Sequence, residues 1–219
     1  MLTPADMNLD ELAAALAPVL ERHAAFDGWS ERALALAAAE LDVPADRARL
    51  AFPGGQAGMI DAWFDAIDRA MLDAFPSERI AALKIRERIR ELVLFRLHTI
   101  QPHREALRRA LAVLALLGNV AASARLAWRS ADRIWRLAGD SATDFNHYSK
   151  RAILIGVYGS TSLVFLDDES DDLAETRAFL DRRIDGVMRF EKAKARWTGG
   201  ADRRPSLSRF LGRLRYPAV

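Results

Sequence analysis

The chain has 219 residues, which is enough for one large domain or two small ones, and 51% of them are hydrophobic, which suffices for a substantial core. Ala, Leu, Arg and Glu dominate the composition while strand-forming runs are scarce, so the sequence predicts an all-α fold. The absence of cysteine excludes disulfides, thiolate metal sites and a cysteine nucleophile.

The net charge of +2 conceals an asymmetry between the body of the chain and its C-terminal end. From Arg189 onward nine basic residues stand against two acidic ones, so this end carries +7 and residues 1–188 carry about −5 by difference. A basic end on a mildly acidic body predicts an anionic partner for that end.

The first 75 residues are predicted to form four helices. Hydrophobic spacing places the first over residues 8–25 with Asn8 as its N-cap, and Ser30 opens a second helix that runs to Glu40. A short third helix starts at Pro44, and the fourth follows the turn at residues 53–55. This order outlines a helix-turn-helix, but region 1–75 is acidic overall, which argues against DNA binding.

The next segment, 76–197, is predicted to be a helical bundle. Ser77 is expected to cap a long helix to about Ile100, followed by helices over 103–117 and 121–138. Thr143 or Asp144 is expected to cap a central helix, and a last helix spans 171–196.

The central helix contains an apolar stretch from 152 to 166, shorter than the roughly 20 residues that span a bilayer. A helix that is apolar on all sides is expected to be buried on all sides. Its small residues Gly156 and Gly159 favour tight helix packing at a dimer interface, and they leave open an apolar cavity for a lipid or isoprenoid.

Residues 198–219 are predicted to be a linker and an amphipathic helix. The apolar positions follow the i, i+3, i+4, i+7 rule and arginines lie opposite them, which is typical of an interfacial membrane helix. The predicted membrane-binding residues are Leu207, Arg209, Phe210, Leu211, Arg213 and Leu214. Docking of this tail on its own protein or on a dimer mate is the alternative.

Neither catalytic nor metal-binding motifs are apparent. The sequence lacks the Glu-x-x-His pairs of a di-iron bundle, the Gly-x-Ser-x-Gly nucleophile motif and a phosphate-binding glycine loop. Asp144 and His147 form a single i, i+3 pair, which is too little for a metal site. We therefore expect no enzyme activity, no cofactor and no metal.

The N-terminus lacks a basic segment followed by an apolar one, and Asp6, Asp10 and Glu11 are unlike a transit peptide. Together with the basic tail, this predicts a cytoplasmic protein, peripheral on the inner face of the cytoplasmic membrane.

Several motifs resemble the Coq-nine family of ubiquinone-biosynthesis lipid-binding proteins, over about residues 10 to 190. They are Gly28-Trp-Ser-Glu31, Asp132-Arg-Ile-Trp135, Ala138-Gly-Asp140, Thr143-Asp-Phe-Asn146, Tyr148, Lys150-Arg-Ala152, Gly156-Val-Tyr158 and Phe179-Leu-Asp-Arg-Arg-Ile-Asp185. The resemblance implies a TetR-regulator-like helical bundle with a degenerate helix-turn-helix, a homodimer and a C-terminal amphipathic helix on a membrane surface.

The same resemblance implies a non-enzymatic accessory factor, which presents lipid or isoprenoid quinone intermediates to a di-iron hydroxylase. The expected lipid-binding residues are Leu111, Leu114, Trp135, Ile155, Gly156, Tyr158, Gly159 and Leu163. The expected partner-binding residues are Trp135, Asp140, Asp144, Phe145, Asn146, His147 and Tyr148, with His147 in a position where the family usually has Trp. A ligand-responsive TetR-type transcription regulator is the alternative, motivated by the helical order of residues 1–75.

Overall fold

A computed structural model describes residues 6–140 and 145–198 of the chain. Within these ranges the protein is helical and contains no strand. The helices are α1 Leu9–Asp27, α2 Glu31–Glu40, α3 Ala45–Leu50, α4 Gly55–Ala74, α5 Ser77–Ala81, α6 Ile85–Ile100, α7 Arg104–Leu114, α8 Val120–Leu137, α9 Phe145–Asp167 and α10 Ala174–Thr198. Short 3₁₀ turns at Gln101–His103, Leu117–Asn119 and Asp171–Leu173 precede α7, α8 and α10.

The predicted starts of the first two helices are confirmed by their caps. The Asn8 side chain accepts a hydrogen bond from the Glu11 amide (2.9 Å), and the Glu11 carboxylate accepts one from the Asn8 amide (2.8 Å). This reciprocal pair satisfies two amides that the first turn of a helix leaves free. At α2 the Ser30 hydroxyl accepts from the Ala33 amide at 3.2 Å.

The prediction of one continuous helix from Ser77 to Ile100 is wrong, because the helix breaks between α5 and α6. Ser77 is also the first residue of α5 and not its N-cap. The Arg88 guanidinium on α6 donates to the carbonyls of Ala81, Leu83 and Ala138 at 2.9, 2.7 and 2.8 Å. These bonds satisfy two carbonyls near the end of α5, which makes the break stable.

The described residues up to Asp181 form one compact unit, whose core lies where α1 packs against α2, α4 and α7 and where α8 packs against α4 and α9. The leucines Leu12, Leu16 and Leu20 of α1 are fully buried. Trp29 and Trp63 are also buried, with ring centroids 5.1 Å apart. Each such side chain stabilises the fold by about 1.5–3 kcal/mol or more.

The prediction that the central helix is buried on all sides is wrong within this chain. Leu154, Val157 and Phe165 of α9 are buried, whereas Gly156 is exposed and Leu163 is 61% exposed. The exposed positions follow helical spacing, so one stripe of α9 faces away from the core. The predicted caps Thr143 and Asp144 lie outside the described residues.

The described residues from Arg182 to Thr198 belong to a second unit and form the C-terminal part of α10. The predicted linker and amphipathic helix lie outside the described residues. Among those that are described, no single helix has the length and hydropathy to span a membrane. The bent pair Ile85–Leu114 and Leu117–Leu137 passes by length and composition alone.

Candidate functional site

An apolar cavity of about 260 Å³ lies between α4, α7, α8 and α9. This volume is close to the lower bound of roughly 300 Å³ that is typical of small-molecule sites. Ala115 and Gly159 are exposed residues of the lining and stand at its rim. The other lining residues are Phe64, Leu107, Leu111, Leu114, Ser123, Leu126, Ala127, Ser130, Ala131, Ile134, Leu154, Ile155, Tyr158 and Ser162.

The structure brings most of the predicted lipid-binding residues to this cavity. Leu111, Leu114, Ile155, Tyr158 and Gly159 line it. Trp135, Gly156 and Leu163 lie elsewhere: the Trp135 indole donates to the Lys150 carbonyl, and the two α9 residues are exposed.

Sequence reasoning missed Phe64 and the entire α8 wall of the cavity. That wall consists of small and apolar side chains at helical spacing, namely Ser123, Leu126, Ala127, Ser130, Ala131 and Ile134. The opposite face of α8 carries Arg125, Arg129, Asp132, Arg133 and Arg136. This two-sided pattern is visible in the sequence and marks which face of α8 turns inward.

A buried charge pair lies behind one wall of the cavity. Arg96 and Asp68 are both fully buried and are in direct contact. Arg96 also donates to the Ser130 hydroxyl (3.1 Å) and to the Tyr158 hydroxyl (3.2 Å), and both of these residues line the cavity. Arg133 contacts Asp68 at 3.0 Å from the partly exposed side. A charge buried so deeply requires such partners, because an unpaired one would cost several kcal/mol.

A second cluster joins the end of α8 to the start of α9. The Arg151 guanidinium is 1% exposed and donates to Asp132 at 2.7 Å, to Asp140 at 3.1 Å and to the His147 carbonyl at 2.9 Å. Lys150 binds the other oxygen of Asp140 at 2.7 Å and lies over the Trp135 ring. The Asp140 carboxylate, predicted to face a partner, is only 4% exposed and holds this junction together.

The predicted partner-binding residues His147 and Tyr148 form an aromatic group with Trp128. The ring centroids are 5.1 Å apart for His147–Tyr148, 5.8 Å for Trp128–Tyr148 and 6.2 Å for Trp128–His147. Tyr148 is 61% exposed, so the group is accessible at the surface. Trp128 was missed by sequence reasoning as part of this group; it supplies an indole beside His147. Asp144 lies outside the described residues, and α9 begins at Phe145 and Asn146.

A carboxylate with a raised pKa, that of the partly buried Glu21, lies outside these clusters, on α1. Burial raises the pKa of Glu21 to about 7, although a hydrogen bond from the Trp63 indole and the charge of Arg22 oppose the shift. Burial and the Arg22 charge also lower the pKa of the neighbouring His103. No group of His, Asp and Glu that could hold a metal ion occurs in residues 6–140 and 145–198.

The family model described as COQ9 matches residues 120–191, which include the α8 wall, the Asp140–Arg151 junction and α9. The mitochondrial ubiquinone biosynthesis protein COQ9 of Xenopus tropicalis is 33% identical over 168 residues, or 74% of this chain and 53% of that protein. The chain belongs to the COQ9 family. Rat COQ9 is 42% identical over 100 residues, or 46% of this chain and 32% of that protein, and human COQ9 is 39% identical over 46% and 31%.

The match with these COQ9 relatives spans between about a third and a half of their length. Among solved structures, a TetR transcriptional regulator from Nitrosomonas europaea matches with a TM-score of 0.63 and 25% identity, over 80% of this chain and 96% of that one. The prediction of an all-α TetR-like fold is confirmed.

The predicted location on the inner face of the cytoplasmic membrane is wrong, because the COQ9 relatives are mitochondrial proteins. The acidic residues used for that prediction have a local role instead. Glu11 belongs to the capping box of α1, and Asp10 lies in the same first turn, where a carboxylate is favourable. They therefore say nothing about the compartment.

Proposed function

We propose that this COQ9-family chain is a non-enzymatic accessory protein of ubiquinone biosynthesis. It holds an isoprenoid quinone intermediate in the cavity between α4, α7, α8 and α9 and presents it to a di-iron quinone hydroxylase at a membrane surface. The single observation that carries this proposal is the apolar cavity, two walls of which belong to the segment matched by the family model. The curated relatives are named ubiquinone biosynthesis proteins, which supplies the pathway.

The exposed end of the α7–α8 hairpin supports contact with a membrane. Residues 110–124 contain no charged side chain. Leu116, Leu117 and Val120 are 57%, 92% and 56% exposed. Asn119 in the same turn is satisfied internally, because its side chain donates to the Val113 carbonyl and its amide donates to the Leu116 carbonyl, both at 2.8 Å. Such a turn enters an apolar medium at little cost, since few polar groups lose water.

This turn adjoins the cavity, since Leu111, Leu114 and Ala115 line the cavity and Ala115 stands at its rim. A lipid would therefore pass from the bilayer to the cavity without crossing water. The basic amphipathic tail of residues 203–219 would add a second contact, in which each arginine near an anionic surface contributes on the order of 1 kcal/mol.

The partner surface is proposed around Tyr148, His147 and Trp128, where one exposed and two half-buried rings lie beside the Asp140–Arg151 junction. Rigid aromatic groups are enriched where protein partners bind. The exposed α9 stripe that contains Gly156 and Leu163 supports the homodimer, because small side chains let a second helix approach closely.

A ligand-responsive transcription regulator is the second candidate, and the TetR match favours it. The arginines of the degenerate helix-turn-helix argue against it. Arg49 is paired with Glu31 and Asp46 at 2.9 and 2.8 Å, and Arg47 donates to the Met7 carbonyl. These guanidinium groups serve the fold, whereas a DNA-reading head needs them for phosphates.

Lipid extraction from the natively purified protein, followed by mass spectrometry, tests the cavity. Gly159 lines the cavity and has open space where a side chain would extend, so Gly159→Leu should fill the rim without a clash. Gly156, one turn earlier, also has open space but does not line the cavity, and Gly156→Leu is the matched control.

We expect the wild type and Gly156→Leu to carry an isoprenoid lipid and Gly159→Leu to lose most of it. Equal lipid content in all three proteins would contradict the cavity assignment. A shift assay with DNA at low salt decides against the regulator if no sequence-selective complex forms.

A further inference from the structure

Ser130 and Tyr158 give the apolar cavity a polar side of defined character. Four hydroxyl side chains line the cavity, those of Ser123, Ser130, Tyr158 and Ser162, and Arg96 binds two of them, Ser130 and Tyr158. Ser130 is 2% exposed, and the guanidinium that binds it is fully buried. The two hydroxyls are therefore positioned to bind a molecule inside the cavity and not bulk water.

The direction of the hydrogen bonds around Arg96 determines what the two hydroxyls can still do. A guanidinium only donates, so the oxygens of Ser130 and Tyr158 must accept from Nη2 and Nε at 3.1 and 3.2 Å. A hydroxyl that accepts in this way keeps its own hydrogen for another partner. Among the described residues neither hydroxyl has a second hydrogen bond, so both hydrogens are available to a molecule in the cavity.

Arg96 is held in a single place, which fixes the two hydroxyls. Its guanidinium contacts Asp68 and lies 5.2 Å from the centroid of the Tyr158 ring and 5.7 Å from that of Phe64. Asp68 is shared by Arg96, Arg129 and Arg133, and the last two also pair with Asp61 and Asp65. These three cations and three carboxylates balance, so this side of the cavity has no net charge to attract an ionic head group. It offers two oriented O–H donors, polarised by the cation behind them.

We propose that Ser130 and Tyr158 are specificity-determining residues that select a ligand with a carbonyl-type acceptor on an apolar chain. This inference rests on the proposed function and names the part of the ligand that the two hydroxyls recognise. A quinone oxygen fits, because it accepts hydrogen bonds and carries no charge. A plain hydrocarbon would leave both buried donors unsatisfied, which is the kind of mismatch that gives strong discrimination.

The geometry also orients the ligand. Ser123 lines the cavity on the same helix as Ser130, seven residues earlier, which is about 10 Å along α8. Ser123 belongs to the half of α8 that begins at the exposed α7–α8 turn. The ring of the ligand thus lies at Arg96 and its chain leads toward that turn.

Binding of two probes by the full-length protein tests the assignment. Decylubiquinone has carbonyl acceptors, whereas 1-phenyldecane has a similar ring and chain with none. We expect Tyr158→Phe and Ser130→Ala each to weaken decylubiquinone binding about three- to tenfold and to leave 1-phenyldecane binding unchanged. Ser160→Ala is the matched control, because this hydroxyl is on the same helix as Tyr158, does not line the cavity and donates to the Gly156 carbonyl, so its loss should change neither affinity.

Equal losses for both probes, or no loss for decylubiquinone, would overturn the proposal. Failure of the wild type to bind either probe would instead refute the proposed function. Thermal unfolding of each variant shows that it is folded. Should Tyr158→Phe not fold, Ser130→Ala decides, because it removes the smaller of the two side chains from Arg96.

Discussion

Replacing Asp140 with Asn measures how firmly the α8–α9 junction is held. The Asp140 carboxylate is 4% exposed and accepts from Lys150 at 2.7 Å and from Arg151 at 3.1 Å. Lys150 is 39% exposed and can turn to water, so losing its bond to Asp140 costs little free energy. Arg151 is 1% exposed and cannot, but it keeps its bond to Asp132 at 2.7 Å.

The net effect is the loss of one buried, charge-assisted hydrogen bond while Arg151 stays paired. We therefore expect a cost of about 2–3 kcal/mol, below the 3–5 kcal/mol of a charge left without any partner. For a chain of this size that corresponds to a fall in Tm of about 4–12 °C.

Urea unfolding followed by circular dichroism measures this cost. The control is Asp46→Asn, because Asp46 is paired with Arg49 at 2.8 Å but is 93% exposed, and its replacement should cost less than about 0.5 kcal/mol. If Asp140→Asn were as stable as the control, the carboxylate would not hold the junction. Its role would then be limited to a surface contact with a partner.

Two further predictions concern the α7–α8 turn and the carboxylate of Glu21. Leu117→Asp should weaken flotation on neutral phosphatidylcholine vesicles about tenfold, because Leu117 is 92% exposed in an uncharged turn, whereas Phe26→Asp, at an 84% exposed site on α1, should not. An equal loss for both would exclude a specific turn contact. Burial raises the pKa of Glu21 from 4.5 to about 7. Between pH 4.5 and about 7 the folded state keeps a proton that the unfolded state releases, so the free energy of unfolding falls as the pH rises through this range. Urea unfolding at pH 5 and pH 8 should show a fall of about 2–4 kcal/mol in the wild type and none in Glu21→Gln. Identical pH profiles for the two proteins would refute this prediction.

Features that depend on neighbouring residues could be predicted from the sequence. The caps at Asn8 and Ser30 were found because a cap is a contact between residues three apart. The inward positions of Leu107, Leu111 and Leu114 on α7 follow from helical spacing, which shows which side of that helix is apolar.

Features that depend on distant residues could not be predicted. The break before α6 has no glycine or proline of its own and is stabilised by Arg88, which also reaches Ala138 fifty residues away. The hydrogen bond that orients the Ser130 hydroxyl comes from Arg96, which is 34 residues earlier in the chain. The α9 stripe was predicted to be buried, but an apolar composition does not say whether the covering surface belongs to the same chain.

Under the proposed function, the size of the cavity limits how a long lipid is delivered. About 260 Å³ has room for a ring and a short length of chain, so most of a polyisoprenoid would have to remain in the bilayer. The protein would then bind the ring of the lipid while the isoprenoid chain stays among the acyl chains of the bilayer. Delivery would be a lateral process, with a rate set by the surface density of protein and acceptor enzyme, and a loaded protein could not carry its cargo through water between separate membranes.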